Sequence, residues 1–453
     1  MTRGTTQHGP SRRSAVWMLL LFAGLCAGLF TACADEDDDG KTNVTVIGAV
    51  NDDEVSGDDD TDGDCPNAKY DERTGKYRCG PNDDADDDDS SGDVLDDDTS
   101  DDDTVDDDTT DDDTGDDDGP DPRLLELYDI LDFEQYLDIE PVDSEDAFDN
   151  FTRYFFPTDR VRCFDGSQAS VSISPGDNPD NVMIFLEGGG ARWPGGGVAL
   201  TVDVPIGVGF RSRSDNNPLR DWTIVYVPYC DASIHSGDNE LEYEGEGVRY
   251  HHGLRHSTAS IALAKQLYPD AKKVLVAGSS AGGFGTFFSW VIARSQFPDA
   301  QTYILDDSGQ GFWNPDDLET FETIKQAWDL RLPEDICTKC GITEWTYAFD
   351  LYMQYDPRVR IGLVSWYQDS VIGGVFLQMD PLVFEQTLVR ITDDIRALHP
   401  DRFARFFMEG SLHTVYMLVL TGKGLNYEID DVSLAAWIDG LVSDDPSWPD
   451  LTE

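Results

Sequence analysis

Short apolar runs alternate with longer stretches of helical pattern from about residue 181 onward. The apolar runs contain few polar positions, which is typical of strands buried on both faces of a parallel sheet. Helices are predicted over 253–267 and 284–292, and strands over 182–186, 222–227, 274–276, 302–305, 360–365 and 402–408. The alternation predicts an α/β fold, a mainly parallel sheet flanked by helices, with its functional site at the carboxyl ends of the strands.

The strand predicted at 274–276 runs directly into the segment Gly278-Ser279-Ser280-Ala281-Gly282, a G-x-S-x-G pattern between strand and helix. A serine on such a sharp turn needs small residues two positions to either side, because a side chain there would collide with the neighbouring strand or helix. The pattern predicts a nucleophile elbow with Ser280 as the catalytic nucleophile, and it favours the α/β-hydrolase arrangement of the sheet. A glycine-rich turn without chemistry is the alternative.

In the α/β-hydrolase fold the nucleophile is followed along the chain by an acid and then by a histidine. Ser280, Asp369 and His413 occur in that order, each shortly after a predicted strand. His413 is predicted to take and return the proton, while Asp369 orients its ring and stabilises its charged form. Asp306 and Asp307, which end the strand after the nucleophile, are the alternative acids.

Three consecutive glycines, 188–190, directly follow the strand predicted at 182–186. An oxyanion hole needs backbone N–H groups on a turn where no side chain intervenes. The N–H groups of Gly189, Gly190 and Ala281 are therefore predicted to form one. A phosphate-binding loop is not favoured, since no Lys-Ser/Thr pair follows the glycines. Trp193, in the same loop, is a candidate wall of the substrate pocket. No organic cofactor and no metal is predicted.

The amino terminus has the pattern of an export signal. Arg12 and Arg13 precede a mostly apolar run over 15–30, and small residues then lead to Cys33. This favours a lipoprotein signal over residues 1–33 with Cys33 lipidated; ordinary cleavage and a retained membrane helix are the alternatives. The protein is expected to be an exported lipoprotein of the cell envelope, at the outer membrane or cell surface, with the lipid as its only membrane contact.

Residues 34–122 are rich in Asp and poor in large apolar residues, and from residue 96 they settle into repeats of the form DDDTx. Such a segment cannot bury enough surface to fold, and its like charges repel, so an extended disordered linker is predicted. Calcium binding by this array is a weaker alternative. Residues 123–453 are long enough for one catalytic domain. The formal net charge of −59 argues against nucleic acid as a partner.

The chain has eight cysteines. Leaving out the one in the signal and the lipidation site, an even number remains in an exported chain, so disulfides are expected. Cys337 and Cys340 are predicted to form a local disulfide rather than a zinc or redox site. Cys65 and Cys79 flank a small patch of the linker and are a second candidate pair.

Five short segments together resemble the pectin acetylesterase/Notum family in order and approximate spacing. They are CFDGS at 163–167, FLEGGG at 185–190, VPYCD at 227–231, SGD at 236–238 and GSSAGG at 278–283. The resemblance covers roughly residues 153–416. Trp193 lies later after the glycines than in plant and animal members and has no cysteine beside it, and His413 is not followed by the cysteine usual there.

The resemblance implies an α/β-hydrolase that removes acyl groups from oxygen, acetyl from pectin in plants and palmitoleoyl from Wnt proteins in animals. It implies the same nucleophile, triad partners and oxyanion donors as the pattern above. It further implies a disulfide between Cys163 and Cys230 beside the site.

The sequence therefore favours a surface-tethered serine carboxylesterase that acts on acetyl or other short acyl esters through an acyl-enzyme. The substrate is expected to be an acylated small molecule or polysaccharide. Polygalacturonate is disfavoured because the domain is itself acidic. Two alternatives stay open: a hydrolase fold without catalysis that serves as a surface-binding lipoprotein, and a serine peptidase on the same fold.

Overall fold

The computed structural model describes residues 121–147, 150–341 and 343–453, together with four short strands before residue 121. These strands form two antiparallel hairpins, β1 (Ala32–Glu36) with β2 (Thr42–Val46) and β3 (Ala68–Asp71) with β4 (Lys76–Cys79). The signal run, the DDDTx repeats and Cys65 lie outside the described residues. The lipidation of Cys33, the linker and the Cys65–Cys79 pair therefore stay predictions.

A ten-stranded sheet organises the chain from residue 121 onward. The strands are β5 (Asp143–Asp146), β6 (Thr152–Phe155), β7 (Ser170–Ser174), β8 (Asn178–Leu186), β11 (Trp222–Val227), β14 (Lys273–Ser279), β15 (Gln301–Asp307), β16 (Arg360–Trp366), β17 (Phe403–Met408) and β20 (Leu451–Thr452). Their order in the sheet is β20-β17-β16-β15-β14-β8-β11-β7-β6-β5. Neighbouring strands are parallel from β20 to β11, and β7, β6 and β5 continue the sheet antiparallel.

Helices and small hairpins fill the connections between these strands. The hairpins are β9 (Gly190–Trp193) with β10 (Gly196–Ala199), β12 (Asn239–Tyr243) with β13 (Gly247–His251), and β18 (Glu428–Ile429) with β19 (Val432–Ser433). The helices are α1 (Pro122–Leu131), α2 (Gly253–Leu267), α3 (Ala281–Gln296), α4 (Leu318–Trp328), α5 (Ala348–Tyr355), α6 (Pro381–Leu398), α7 (Thr414–Leu420) and α8 (Leu434–Val442), and a π-helix spans Ser370–Phe376. The predicted α/β fold with a mainly parallel, helix-flanked sheet is confirmed.

Side chains of the central strands are buried alternately on the two faces of the sheet. In β8, Val182 and Ile184 pack into the cluster that contains Trp290 of α3. Met183, between them, packs into the opposite cluster with Trp437 of α8. Both faces are covered over residues 182–186, so every position of that part of the strand is apolar, which is why these strands appear in the sequence as unbroken apolar runs.

Some predicted boundaries match the structure and others differ from it. β11 and α2 begin and end at the predicted residues, 222–227 and 253–267. Helix α3 begins earlier than predicted, at Ala281 rather than 284, and continues to Gln296. Gly282 and Gly283 lower the intrinsic helix propensity of its first turn. Packing overrides that propensity, since Cβ atoms at either glycine would lie within 2.4 Å of neighbouring atoms.

Two disulfides connect cysteines that the sequence singled out, Cys163 with Cys230 and Cys337 with Cys340. They are separated by 67 and 3 residues along the chain, and all four cysteines are buried. None of the helices among the described residues is long and apolar enough to cross a membrane.

Replacing Cys163 and Cys230 together by alanine should lower the free energy of unfolding by about 2–5 kcal/mol, because the unfolded chain loses a long closed loop. Urea denaturation of the full-length protein measures this. The matched control is the double replacement of Cys337 and Cys340, which are equally buried but close only a short loop, so the loss there should be smaller. Equal losses in the two variants would contradict the loop argument.

Candidate active site

Ser280 occupies a sharp turn between the end of β14 and the start of α3. Its backbone is in a strained region, with φ 58° and ψ −122°. A Cβ on Gly278 would lie 2.0 Å from the carbonyl oxygen of Gly282, and one on Gly282 would lie 2.0 Å from that of Leu186. The small residues predicted around the serine are therefore required by contact. Among the described residues, Ser280 Oγ has no hydrogen-bond partner, so the structure shows no hydrogen bond between Ser280 and His413.

The structure brings Asp369 and His413 together. Asp369 precedes the π-helix, and its Oδ1 accepts hydrogen bonds from the N–H groups of Val371 and Ile372, both at 2.9 Å. Its Oδ2 lies 2.7 Å from Nδ1 of His413, the residue immediately before α7. The ring therefore donates through Nδ1, and within the described chain Nε2 has no hydrogen-bond partner.

The surroundings of His413 favour its charged form. Burial lowers the pKa of this ring, but the charge of Asp369, its hydrogen bond and the charge of Asp307 outweigh burial, so the pKa of His413 is raised above its usual value. A histidine in this setting can hold a proton taken from a neighbouring hydroxyl, which is what a general base in acyl transfer must do.

Asp306 and Asp307, the alternative acids, bond elsewhere. Asp306 Oδ1 accepts the N–H of Gly309 at 2.8 Å. Asp307 Oδ2 accepts the hydroxyl of Ser279 at 2.7 Å. Among the described residues, Asp369 is thus the carboxylate that bonds the imidazole of His413.

The glycine loop at 188–190 packs directly against the elbow. A Cβ on Gly188 would lie 2.6 Å from the carbonyl oxygen of Ser279, and one on Gly189 would lie 2.2 Å from the ring of Tyr229. Gly190 has φ +85°, a left-handed conformation that favours glycine. Ala281 is the first residue of α3, where helix N–H groups lack internal partners and attract negative charge. The arrangement suits the predicted oxyanion hole.

A buried ion pair between Glu187 and Arg211 supports this loop. Glu187 Oε1 accepts the N–H of Gly188 at 3.1 Å, and its Oε2 lies 2.5 Å from Nη1 of Arg211. The Arg211 guanidinium also lies over the ring of Tyr416, 5.4 Å from its centre. Since Tyr416 is in α7, the pair connects the glycine loop to the helix after His413. Arg211 falls in a stretch without periodic pattern, so no sequence signal marks it.

Tyr229 holds the other end of the same loop. Its hydroxyl donates to the carbonyl oxygen of Gly190 at 2.5 Å and accepts the N–H of Ile234 at 3.2 Å. Replacing Tyr229 by phenylalanine should lower kcat of ester hydrolysis about tenfold with little change in KM, because donors to a developing oxyanion lose their alignment.

Steady-state kinetics of the full-length protein test this effect of Tyr229. Tyr303→Phe is the matched control: Tyr303 is equally buried, but its hydroxyl donates to Asp444, which is not part of the loop. An unchanged kcat in the Tyr229 variant, or an equal loss in both, would contradict the role given to this hydroxyl.

Trp193 ends β9 and is half-buried. Its ring contacts Phe376 edge-on, with centroids 5.9 Å apart. Phe376 also contacts Phe284 of α3 and Trp313. These aromatic rings join the hairpin after the glycine loop, the nucleophile helix and the π-helix after Asp369. The sequence marked Trp193 but not Phe376, and the role of Trp193 as a pocket wall stays a prediction. No group of three metal-ligating side chains occurs in the part of the chain that the structure describes.

Comparison with known proteins adds a family match. The family model described as Pectinacetylesterase matches residues 205–339, a segment that contains the elbow but ends before Asp369. The chain is 24% identical over 278 residues to palmitoleoyl-protein carboxylesterase notum1' of Xenopus laevis, covering 50% of this chain and 54% of that protein.

Two further relatives give the same picture. Pectin acetylesterase 4 of Arabidopsis thaliana is 28% identical over 164 residues, which are 32% of this chain and 40% of that protein. Palmitoleoyl-protein carboxylesterase notum1a of Danio rerio is 23% identical over 258 residues, 48% and 50% of the two chains. The chain thus spans about half, or less, of the length of these curated relatives.

Proposed function

We propose that this chain, which is similar to the pectin acetylesterase/Notum family over part of its length, is a serine carboxylesterase that hydrolyses acetyl or other short acyl esters. The observation that carries the proposal is the hydrogen bond between Asp369 and His413, on a sheet whose central strand ends in the Ser280 elbow. These are the parts that activate a serine hydroxyl, which by itself is a weak nucleophile at neutral pH.

In the first half of the reaction, Ser280 Oγ attacks the ester carbonyl while His413 Nε2 takes the hydroxyl proton. Asp369 holds the ring through Nδ1 and stabilises the imidazolium that forms. The N–H groups of Gly189, Gly190 and Ala281 bind the negative charge that develops on the carbonyl oxygen. His413 then gives the proton to the departing alcohol, and the acyl group stays on Ser280.

In the second half, water takes the place of the alcohol. His413 removes a proton from the water, which attacks the acyl-enzyme carbonyl. The same oxyanion donors stabilise the second tetrahedral intermediate, and the proton returns to Ser280 Oγ as the carboxylic acid leaves.

The acidic character of the chain favours an uncharged ester over one on a polyanion. A negative surface repels polygalacturonate and lowers its local concentration, so an acetylated neutral polysaccharide or a small ester fits better. We further propose that a lipid on Cys33 and the Asp-rich segment display the catalytic domain at the cell envelope.

Hydrolysis assays on the full-length protein test the function. We expect turnover of p-nitrophenyl acetate, slower turnover of the octanoate, and release of acetate from acetylated xylan in preference to acetylated polygalacturonate. Absence of ester hydrolysis by a folded sample would favour a binding lipoprotein. Cleavage of peptide anilides without ester hydrolysis would favour a peptidase. Either result would overturn the proposal.

A further inference from the structure

Asp307 lies at the carboxyl end of β15, between the strand that leads to Ser280 and the strand that leads to Asp369. Its side chain is fully buried, and the triad chemistry above does not use it. Burying a carboxylate is unfavourable unless hydrogen bonds and charges compensate for the lost water. The partners of this carboxylate therefore indicate its role.

The hydrogen bonds of Asp307 reach both halves of the site. Its backbone oxygen accepts the N–H of Ser280 at 2.8 Å. Its carboxylate accepts the hydroxyl of Ser279 at 2.7 Å, and it also accepts the N–H of Val415, with distances of 3.1 and 3.0 Å to the two oxygens. One residue thus holds the elbow and the segment that follows His413, so the separation of nucleophile and base depends on it.

The turn after His413 needs such support. Thr414 has φ +56°, a left-handed conformation that is strained for a β-branched residue. Strained backbone persists only where its surroundings hold it. The N–H of Thr414 donates to Ser308 Oγ at 3.2 Å, and the next N–H, of Val415, donates to Asp307. The end of β15 therefore fixes this turn.

Charge couples Asp307 to the catalytic histidine as well. The charge of Asp307 raises the pKa of His413, after the larger effect of Asp369. Burial in turn raises the pKa of Asp307 to about 7, although the Ser279 hydroxyl, the Val415 N–H and the charge of His413 oppose it. The titratable groups that face Asp307 are its neighbour Asp306, Asp369 and His413. Asp307 and His413 favour each other's charged forms.

We propose that Asp307 is a positioning residue of the site, whose carboxylate joins the elbow to the turn after His413 and supports the charged imidazole as the proton leaves Ser280. The inference rests on the proposed function, which gives Ser280 and His413 their roles. Asp307 acts through these residues and not on the substrate.

The test compares Asp307→Asn and Ser279→Ala in the full-length protein. Asparagine keeps the shape and an acceptor for Val415 but removes the charge. We expect kcat to fall about 10- to 100-fold with KM within about twofold, and the acidic limb of the kcat/KM profile to move to lower pH. Ser279→Ala keeps the charge and loses one bond, so it should lower kcat while moving the acidic limb less.

Asp306→Asn is the matched control, since Asp306 is adjacent and equally buried but bonds Gly309 rather than the His413 turn. It should keep both kcat and the position of the acidic limb. The proposal is overturned if Asp307→Asn keeps the parent kcat. It is also overturned if Asp307→Asn and Asp306→Asn lose activity to the same extent and the acidic limb of the pH profile does not move in either. Should Asp307→Asn fail to fold, Ser279→Ala carries the test, and an unchanged kcat there counts against the proposal.

Proton NMR titration of the His413 ring separates this inference from the proposed function, because it needs no substrate. In Asp307→Asn the midpoint of the His413 titration should move to lower pH, and in Asp306→Asn it should stay closer to that of the parent. An unmoved midpoint in the Asp307 variant would refute the electrostatic support. If the parent protein hydrolyses no ester, the proposed function is refuted, but the His413 titration can still be measured and still tests the role of Asp307.

Discussion

Replacing Ser280 with alanine should lower the rate of ester hydrolysis by about 10⁵- to 10⁶-fold, the loss seen when the nucleophile of a catalytic triad is removed. Ser280 Oγ has no hydrogen bond to another described residue, so its removal leaves no buried partner unsatisfied. The fold should therefore be retained, with an unfolding temperature within a few degrees of the parent. Steady-state hydrolysis of p-nitrophenyl acetate, with circular dichroism alongside, measures both.

Ser289→Ala provides the control for this variant. Ser289 lies on the same helix and is fully buried, and its hydroxyl has no hydrogen-bond partner among the described residues. Its loss should leave kcat unchanged. If Ser280→Ala kept a rate within about tenfold of the parent, the activity would come from another group and the assignment of the nucleophile would be wrong.

Replacing Asp369 with asparagine should lower kcat by about 10³- to 10⁴-fold, because the imidazole loses the partner that sets its tautomer and stabilises its charge. We also expect the pH dependence of the rate to change in this variant. His413 accepts a proton only when neutral, so the rate rises with pH through the pKa of the ring. The charge and hydrogen bond of Asp369 raise that pKa, and without them the acidic limb should move to lower pH.

Asp380→Asn separates this effect from the loss of a helix cap. Asp369 and Asp380 both accept two backbone N–H groups at the start of a helix. Only Asp369 also bonds His413. The Asp380 variant should therefore keep kcat and its pH profile. A similar loss of kcat in the two variants would mean that capping, and not the charge beside His413, explains the result.

The features that were predictable from the sequence are those that local physics encodes. The strand before Ser280 is apolar because both of its faces are covered, and the glycines around the serine are required by contacts of 2.0 Å that any Cβ would make. The order of Ser280, Asp369 and His413 along the chain follows from the order of strands in the sheet. The apolar run and the glycines lie within a few residues of the feature they mark, whereas the order of the three triad candidates is a property of the whole sheet.

The features that were not predictable depend on contacts between distant segments. Arg211 contacts Glu187 and Tyr416, which lie far from it along the chain, and its own neighbours in sequence show no pattern. Phe376 reaches Trp193 across the site in the same way. The sequence marks Asp307 as an alternative acid, but its bond to Val415 depends on the path of the chain 108 residues later.

Labelling with a fluorophosphonate probe tests the central claim most directly, since the probe reacts with an activated serine and needs no knowledge of the substrate. The full-length protein and the Ser280→Ala variant would be treated with the probe in parallel. Intact-mass spectrometry then counts the adducts, and peptide mapping locates the labelled residue. The account predicts one adduct, on Ser280, which is absent from the variant. A folded, monodisperse sample that takes up no probe, or takes it up on another residue, would contradict it.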